Sequence, residues 1–436
     1  MKKLLSERVP FSFEPYWWET DEKIVLEKYN LPETVDVLVV GAGYTGLTAG
    51  IIASDLGAKT IVLDAEESGK GASTRNGGMF GAHPRVGWEQ LSLNFGKETA
   101  DQIFKEASDS LIFVRELMRS ENIYCDLVES GRLQLAWTQN DFEKQKKLVS
   151  VIEEKSNTSV KIIPKKELVH EIKTERYHGG VLFKDHCGIN PLKFHNGLIS
   201  ALKRREVQIV ENMPVFSIER KSDRYKVKCG NQVIFASNVI MATNGYTKHN
   251  FNWFKKRVFP VPSFLIATED LPSDLIKELS PRGRMMVETR LKYSYFRTSP
   301  NGKKIIFGGR AAMKPIPLAL AAHRLKTVMD DIWPELENFR LSNVWTGFTG
   351  YSFNHIPHVG HHNGIHYAMG YSGSGTVLAS YLGAKAAYQA LDDPRGETGY
   401  SSTSFITKPF HIFGTPYFLS LADFWYKNVI DRLQTR

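Results

Sequence analysis

The feature that most constrains this chain is a glycine-rich turn that joins an apolar segment to a helical one. Residues 35–40 form a short apolar run, which is typical of a buried parallel strand. The turn Gly41-Ala-Gly43-Tyr-Thr-Gly46 follows at once, and a helix is expected from there to Gly57. A second apolar run, residues 60–63, ends in Asp64. This order of elements predicts a βαβ unit that binds a dinucleotide.

Each polar or glycine position in this unit has a physical role. Gly41 allows a tight turn, Gly43 lets the backbone approach a pyrophosphate, and Gly46 lets the helix pack closely on the strand. The start of the helix offers free N–H groups and a positive dipole end to phosphates. Asp64 is placed to accept a hydrogen bond from a ribose hydroxyl. The alternative is a glycine-rich turn in an α/β protein that binds nothing.

Two later segments favour FAD over NAD. Residues 69–78 are rich in glycine and could lie along a long, extended cofactor. Near the C-terminus, residues 370–375 form a second glycine-rich turn, and a helix is expected from Thr376 to about Leu391. The N-terminus of that helix would stabilise negative charge on a reduced flavin. Short strands are also expected at residues 207–211, 225–228, 233–236 and 239–242.

These segments resemble the D-amino-acid-oxidase-like (DAO) superfamily of flavoproteins, and within it the gamma-glutamylputrescine oxidoreductase branch. The resemblance covers nearly the whole chain and also extends to the glycine and sarcosine oxidases. The matching segments include residues 41–47, 71–78, 242–246, 307–310, 345–347, 354–358 and 370–375.

The resemblance implies an α/β fold in which a Rossmann-type FAD-binding domain is interleaved with an α+β substrate domain whose sheet caps the flavin. The FAD-binding domain would comprise residues 1–95, 185–250 and 345–395, and the capping domain residues 96–184 and 251–344. Residues 396–436 would form a tail with an amphipathic helix. Motif and resemblance together predict these FAD-binding residues: Gly41, Gly43, Tyr44, Thr45, Gly46, Asp64, Ala65, Ala72, Ser73, Thr74, Arg75, Asn76, Gly77, Gly78, Pro214, Val215, Ala242, Thr243, Asn244, Gly245, Trp345, Gly347, Gly370, Ser372, Gly373, Ser374, Gly375 and Thr376.

Three positions depart from the family pattern. Ser374 stands where relatives often have histidine in the last glycine turn. Residues 343–364 contain no cysteine, so non-covalent FAD is expected. Ile306 aligns with a lysine that lies over the flavin in relatives that react quickly with oxygen, although Lys303 and Lys304 are close in sequence. The electron acceptor could therefore be oxygen or a quinone.

A predicted hairpin supplies the candidate substrate residues. Residues 293–297 alternate, residues 304–308 return, and Asn301-Gly302 between them is a strong turn signal. One face of this hairpin would carry Tyr293, Tyr295 and Arg297. The two tyrosines would form an aromatic wall, and Arg297 could pair with a substrate carboxylate. The alternative is a surface tyrosine ladder with an exposed arginine. Arg290 and Arg310 are rival candidates for binding a carboxylate.

Composition narrows the class of protein. The net charge of +9 comes from scattered lysines and arginines, which favours a solvated basic surface over attraction of an anionic partner or membrane. No nucleic-acid motif and no long apolar stretch are present. The three cysteines are widely spaced, which fits a reducing compartment, and a cytoplasmic location is expected.

Two further segments carry alternatives. His355, His358, His361, His362 and His366 could suggest a metal, but no matching cysteine or carboxylate set accompanies them, and no metal is expected. Residues 418–433 have apolar side chains at helical spacing. A helix packed on its own domain is favoured there over one that binds a membrane or a partner.

The sequence thus predicts an FAD-dependent enzyme that oxidises a C–N bond of a small amine or amino acid. Hydride would pass from the α-carbon to flavin N5, and water would hydrolyse the resulting imine. Two alternatives stay open, namely an FAD-dependent dehydrogenase of 2-hydroxy acids and a flavin-binding subunit of a larger assembly.

Overall fold

The computed structural model describes residues 11–27, 30–248, 250–290, 292–411 and 414–420. The strands are β1 Thr34–Val40, β2 Thr60–Leu63, β3 Met79–Phe80, β4 Arg132–Leu135, β5 Val160–Pro164, β6 Gly179–Phe183, β7 Cys187–Gly188, β8 Gln208–Val210, β9 Val215–Lys221, β10 Arg224–Cys229, β11 Gln232–Met241, β12 Val258–Thr268, β13 Met285–Glu288, β14 Ser294–Thr298, β15 Ile305–Gly309, β16 Leu341–Ser352, β17 His358–His362 and β18 Ile365–Met369. The α-helices are α1 Tyr44–Asp55, α2 Trp88–Phe95, α3 Lys97–Ser120, α4 Gln139–Lys155, α5 Pro191–Arg204, α6 Asn252–Lys255, α7 Ser273–Leu279, α8 Leu318–Ile332 and α9 Gly375–Ala390. Short 3-10 helices lie at Tyr16–Glu19, Ala72–Thr74, Lys165–His170, Asn244–Tyr246, Pro334–Leu336, Pro394–Gly396, Gly399–Ser402 and Pro409–His411.

The first sheet is built around β1, in the order β17-β18-β11-β1-β2-β8. β1 pairs in parallel with β11 on one side and with β2 on the other. Val37 and Val39 face one hydrophobic cluster together with α1 and α9, whereas Leu38 faces a second cluster on the opposite side of the sheet. All three side chains are fully buried, and each such burial stabilises the fold by about 1.5–3 kcal/mol. The apolar run is continuous because both faces of this strand are covered.

The second sheet has the order β16-β12-β15-β14-β13-β4-β6-β5. Its pairs are antiparallel except for β13 with β4. The predicted hairpin is confirmed as β14 and β15, with Tyr295 opposite Gly308. The loop between the two strands runs over residues 299–304, and Gly302 in it has a φ of +68°.

One predicted break in the first sheet is wrong. Two short strands were expected at residues 233–236 and 239–242, but β11 is continuous from Gln232 to Met241. Its first half pairs with β10 and its second half with β1, and residues 235–236 pair with both. The polar residues Ser237 and Asn238 lie where the strand leaves β10, and they are only half buried. These two polar residues therefore mark the point where β11 changes its pairing partner from β10 to β1, and not a turn.

We propose adjusting the division into domains at two places. β16 lies wholly in the second sheet, which favours a domain boundary near residue 353 instead of residue 345. Helix α3 buries Ile103 and Phe104 in the same hydrophobic cluster as α1 and α9, so we assign it to the domain of the first sheet. The predicted C-terminal amphipathic helix lies mostly outside the described residues.

Candidate active site

The two glycine-rich turns, far apart in the chain, meet in space. The Thr45 hydroxyl at the start of α1 lies 2.7 Å from the hydroxyl of Tyr371, which is buried in the second turn. Helices α1 and α9 also pack closely, since a Cβ atom on Gly383 would lie 2.3 Å from the carbonyl oxygen of Thr45. Both turns line a single groove, and the N-termini of both helices point into it.

At one end of the groove, Asp64 closes the turn after β1. Its carboxylate accepts hydrogen bonds from the backbone N–H groups of Ala42 at 2.7 Å and Glu66 at 3.0 Å. Burial raises the pKa of this carboxyl group, and the two backbone hydrogen bonds oppose that rise. Gly41 has a φ of +111°, and a Cβ atom on Gly46 would lie 1.8 Å from the Gly41 carbonyl oxygen. Only glycine fits at these two positions.

The loop that follows β2 forms one wall of the groove. The Ser73 hydroxyl accepts a hydrogen bond of 3.0 Å from the backbone N–H of Tyr44, which ties this loop to the first turn of α1. The Asn76 side chain donates to the Ser73 carbonyl at 2.8 Å and accepts from the Gly78 N–H at 2.9 Å. The Trp17 indole donates to the Asn76 carbonyl at 2.8 Å. These bonds hold the loop in one conformation.

Most of the predicted FAD-binding residues line this groove. Those that do are Gly41, Gly43, Tyr44, Thr45, Asp64, Ala65, Ala72, Ser73, Asn76, Pro214, Val215, Ala242, Thr243, Asn244, Gly373, Gly375 and Thr376. The sequence analysis missed further lining residues, including Glu66, Lys70, Met213, Tyr246, Lys248, Phe251 and Thr349. Lys70 and Tyr246 lie inside segments already singled out, residues 69–78 and 242–246, whereas the others have no motif around them that marks a cofactor contact.

The remaining predicted residues do not line this groove, and several of them hold residues that do. Trp345 donates to the Arg75 carbonyl at 2.9 Å, and Arg75 in turn donates to Thr346 at 3.2 Å. Asn244 accepts a hydrogen bond of 2.9 Å from the Gly370 N–H, which fixes the second glycine turn. Others in this supporting group are Gly46, Thr74, Gly77, Gly78, Gly245, Gly347, Ser372 and Ser374.

Two tyrosines and two arginines lie beside Gly373, which lines the groove. A Cβ atom at Gly373 would lie 2.9 Å from Arg85 Nη1, 3.6 Å from the Tyr351 hydroxyl and 3.8 Å from the Tyr293 hydroxyl. Arg310 donates a hydrogen bond to the Tyr351 hydroxyl. Arg85, Arg310, Tyr293 and Tyr351 are called the Arg–Tyr cluster below. Sequence analysis named Tyr293 and Arg310 but missed Arg85 and Tyr351, which come from other segments of the chain.

The structure places Arg297 away from this cluster. Its side chain is 4% exposed and donates to the carbonyls of Gly78 at 2.7 Å, Ile189 at 3.0 Å and Thr298 at 3.0 Å. Burial lowers its pKa to about 10. With its donors directed to backbone carbonyls, Arg297 supports the loop at Gly78 and is not free to bind a substrate carboxylate.

The other hairpin candidates also have defined positions. The ring of Tyr295 covers Gly77, where a Cβ atom would lie 2.8 Å from it, and its hydroxyl lies 2.9 Å from that of Ser263. Burial raises the pKa of Tyr295 above its ordinary range. Arg290 forms an ion pair with the buried Glu288, so its charge is already compensated.

Comparison with known sequences decides the family. The family model described as DAO, FAD dependent oxidoreductase, matches residues 36–389, which cover both glycine turns and the second sheet. The chain belongs to the DAO family. It is therefore an FAD-dependent oxidoreductase.

Individual relatives of this DAO-family protein are distant. It is 27% identical over 370 residues to the probable oxidoreductase OrdL of Haemophilus influenzae, covering 83% of this chain and 84% of that one. It is 27% identical over 364 residues to gamma-glutamylputrescine oxidoreductase of Escherichia coli, and the match covers 80% of this chain and 82% of that one. Glycine oxidase from Geobacillus kaustophilus has a similar fold, with a TM-score of 0.72, 17% identity and coverage of 87% and 99%.

The groove of this DAO-family protein fits FAD on its own geometry. One end has the glycine turn and the carboxylate that a dinucleotide needs, and the other has the N-terminus of the sixteen-residue helix α9. Cys125, Cys187 and Cys229 are buried and free, and none of them lines the groove. A non-covalent cofactor stays the expectation.

The histidine-rich segment has packing partners. His358 lies 2.9 Å from the Asn354 side-chain oxygen and 3.1 Å from the Thr403 hydroxyl. His362 stacks on Trp253 with ring centroids 4.1 Å apart. Within the described ranges, no group of histidine, cysteine or acidic side chains is arranged to hold a metal ion. Within the same ranges, no helix combines the length and apolarity needed to cross a bilayer.

Proposed function

We propose that this protein oxidises the C–N bond of an amine or amino acid that carries a carboxylate group. The observation that carries the proposal is the Arg–Tyr cluster at Gly373, beside the N-terminus of α9. Arg85 and Arg310 have no acidic ion-pair partner among the described residues. Guanidinium groups bind carboxylates through paired, charge-assisted hydrogen bonds.

We assign the groove to FAD, with the adenosine end at Asp64 and the flavin at Gly373. When bound, FAD supplies the two-electron chemistry and accepts the hydride from the carbon next to the substrate nitrogen. The residues around it would bind and orient the substrate. In this assignment Arg310 and Arg85 hold the substrate carboxylate, and Tyr295 forms a wall beside Gly77.

Positioning would supply much of the rate enhancement. The backbone bonds of Arg297 and Asn76 fix the loop of residues 76–78, against which Tyr295 packs. The Trp17 indole also holds this loop, and Trp17 is fully buried. A rigid loop of this kind would keep water out and hold the substrate carbon close to the cofactor. The imine product would then be hydrolysed to a carbonyl compound and an amine.

The names of the relatives agree with C–N oxidation. The Escherichia coli relative is named for gamma-glutamylputrescine, and the glycine oxidase structure is named for an amino acid. We extend the same substrate class, a small amine or amino acid, to this chain.

An anaerobic bleaching screen tests the proposal. Purified holoenzyme would be mixed with three sets of compounds: amino acids, amines without a carboxylate, and 2-hydroxy acids. We expect the yellow oxidised flavin to be bleached by members of the first set at lower concentration than by their decarboxylated counterparts. Bleaching by 2-hydroxy acids alone would favour the hydroxy-acid dehydrogenase. No bleaching by the isolated chain, with recovery on adding a copurifying subunit, would favour the subunit alternative.

The electron acceptor needs its own assay. Ile306 is buried against Trp17 and Trp345, and Lys304 forms an ion pair of 2.9 Å with Asp270. Neither position therefore provides a lysine at Gly373, and we propose a quinone as the acceptor in preference to oxygen. Reoxidation of the reduced flavin should be faster with a soluble quinone than with air-saturated buffer, and faster reoxidation by oxygen would contradict this.

The cytoplasmic location also stays a proposal, supported by the three free and buried cysteines. Fractionation of cells that express the tagged chain would test it.

A further inference from the structure

The Arg–Tyr cluster has two cations around one pair of phenols. The guanidinium carbon of Arg310 lies 5.2 Å from the ring centroid of Tyr293 and 5.0 Å from that of Tyr351. The guanidinium carbon of Arg85 lies 5.8 Å from the centroid of each of the same two rings. The two hydroxyl oxygens are 3.4 Å apart. Both arginines therefore lie over the same two phenol rings.

The cluster lacks a carboxylate to balance these charges. No ion pair joins Arg85 or Arg310 to an acidic side chain among the described residues. The other groups that face the cluster are Tyr295, whose hydroxyl is bonded to Ser263, and His355, whose ring is 5.8 Å from that of Tyr351. Burial lowers the pKa of His355, and the two arginines lower it further, so it stays neutral. Arg132 adds a further cation on the side of Arg85. A phenolate is the remaining source of negative charge in this set.

Of the two phenols, Tyr293 is the more acidic. Burial by itself would raise the pKa of Tyr293, but the charges of Arg310 and Arg85 outweigh burial and lower it to about 7. Burial raises the pKa of Tyr351 to about 12, and the neighbouring charge on Tyr293 adds to that rise. The pair can therefore carry one negative charge as the pH rises above neutrality, and the two arginines favour that charge on Tyr293.

We infer that Tyr293 is a phenolate base that takes the proton of the substrate ammonium group, and that the incoming substrate carboxylate triggers this transfer. The inference rests on the proposed function, because it needs a substrate with both groups. It assigns to the cluster a proton-transfer role in addition to carboxylate binding.

The two events are coupled through the arginines. A substrate carboxylate that pairs with Arg310 and Arg85 takes over the interactions that had stabilised the phenolate. The phenolate then becomes more basic at the moment when the ammonium group arrives. The N–H bond of the ammonium breaks, the electron pair stays on nitrogen, and an O–H bond forms on Tyr293. The pocket keeps its net charge, and the amine becomes neutral, as C–N oxidation requires.

The test separates carboxylate binding from amine chemistry by using acetate, which has no amine. Acetate would be titrated into the oxidised holoenzyme at a pH above 7, by calorimetry in buffers that differ in ionisation enthalpy. With no ammonium group present, Tyr293 must take its proton from the solvent. We expect uptake of about one proton for each acetate bound, because one phenolate is displaced.

Two variants make the assignment specific. Tyr293→Phe should still bind acetate but lose the proton uptake. Tyr367→Phe, which removes a buried phenol on β18 outside the Arg–Tyr cluster, should bind acetate with the uptake unchanged. An unaltered flavin spectrum would show that each variant is folded around its cofactor.

Three results would overturn the inference. They are acetate binding without proton uptake, uptake that persists in Tyr293→Phe, and failure of acetate to bind. In each case, bleaching of the flavin by amino acids would leave the proposed function standing. Conversely, proton uptake with no bleaching by any amine would support the phenolate switch while contradicting C–N oxidation.

Discussion

The hydroxyl oxygens of Tyr293 and Tyr351 lie 3.4 Å apart, although Tyr293 immediately precedes β14, Tyr351 lies in β16, and the two residues are 58 positions apart in the chain. Arg310 donates to one of them, and Arg85 reaches the same point from the domain of the first sheet. The Arg–Tyr cluster is thus assembled from separate segments of the chain, next to the glycine turn that precedes α9.

Replacing Arg310 with lysine should impair use of carboxylate substrates. Lysine keeps the charge but loses the planar pair of donors. Hydrogen bonds to charged groups contribute about 1.5–3 kcal/mol, so we expect kcat/KM to fall about 10-fold to 150-fold, mainly through KM. The measurement is steady-state kinetics on an amino acid that bleaches the flavin.

Arg324→Lys is the matched control for this change. Arg324 lies on α8 and donates to the Ala311 carbonyl at 2.7 Å, outside the Arg–Tyr cluster. The Arg324→Lys enzyme should keep the wild-type ratio of kcat/KM for a carboxylate substrate to kcat/KM for its decarboxylated counterpart. If the Arg310→Lys enzyme also keeps the wild-type ratio, the assigned role of Arg310 is contradicted.

Activity should depend on pH through Tyr293. The lowered pKa of about 7 means that the phenolate forms as pH rises through neutrality. If this group accepts the ammonium proton, kcat/KM should increase with pH across that range and then level off. In Tyr293→Phe, kcat/KM should no longer increase with pH across this range. If the increase persists in this variant, a group other than Tyr293 is responsible for it.

Replacing Gly46 with alanine should abolish FAD binding. The added Cβ atom would lie 1.8 Å from the Gly41 carbonyl oxygen, so the turn that cradles the pyrophosphate must move. Gly50→Ala, one turn later in the same helix, meets only the flexible side chains of Val62 and Leu202 at 3.1 and 3.2 Å. It should keep its FAD. Fluorescence titration of the two apoproteins with FAD checks both, and equal affinity would count against the proposed cradle.

Acid should destabilise the apoprotein through buried histidines. His195 lies behind the glycine turn, with Nε2 at 2.9 Å from the Ala42 carbonyl, and burial lowers its pKa to about 4. The unfolded chain therefore takes up a proton below the ordinary histidine pKa of about 6.5, whereas the native protein does not. The free energy of unfolding should fall by about 1.4 kcal/mol per pH unit for this residue between those values.

Urea denaturation at a series of pH values would measure this slope. His195→Gln should make the slope shallower, and His323→Gln, at an exposed site on α8, should not. A slope that is identical in wild type and His195→Gln would refute the assignment to His195.

Local patterns were enough to predict the βαβ unit. The run of β1, the three glycines and Asp64 each have a local cause, and their neighbours in space are also neighbours in sequence. The hairpin of β14 and β15 was predictable for the same reason.

The Arg–Tyr cluster was only partly predictable, because it depends on long-range topology. Arg85 and Tyr351 come from segments with no motif, one before α2 and the other in β16, and only the tertiary fold brings both of them to Gly373. Alternation predicted that Arg297 shares one face with Tyr293 and Tyr295, but it could not show that backbone carbonyls occupy the donors of Arg297.

A crystal structure of the FAD-reconstituted protein with acetate would test the central claim most directly. We expect the adenosine ribose at Asp64, the flavin at Gly373, and the acetate carboxylate between Arg85 and Arg310. A flavin ring bound away from Gly373, or acetate bound away from both arginines, would contradict the account.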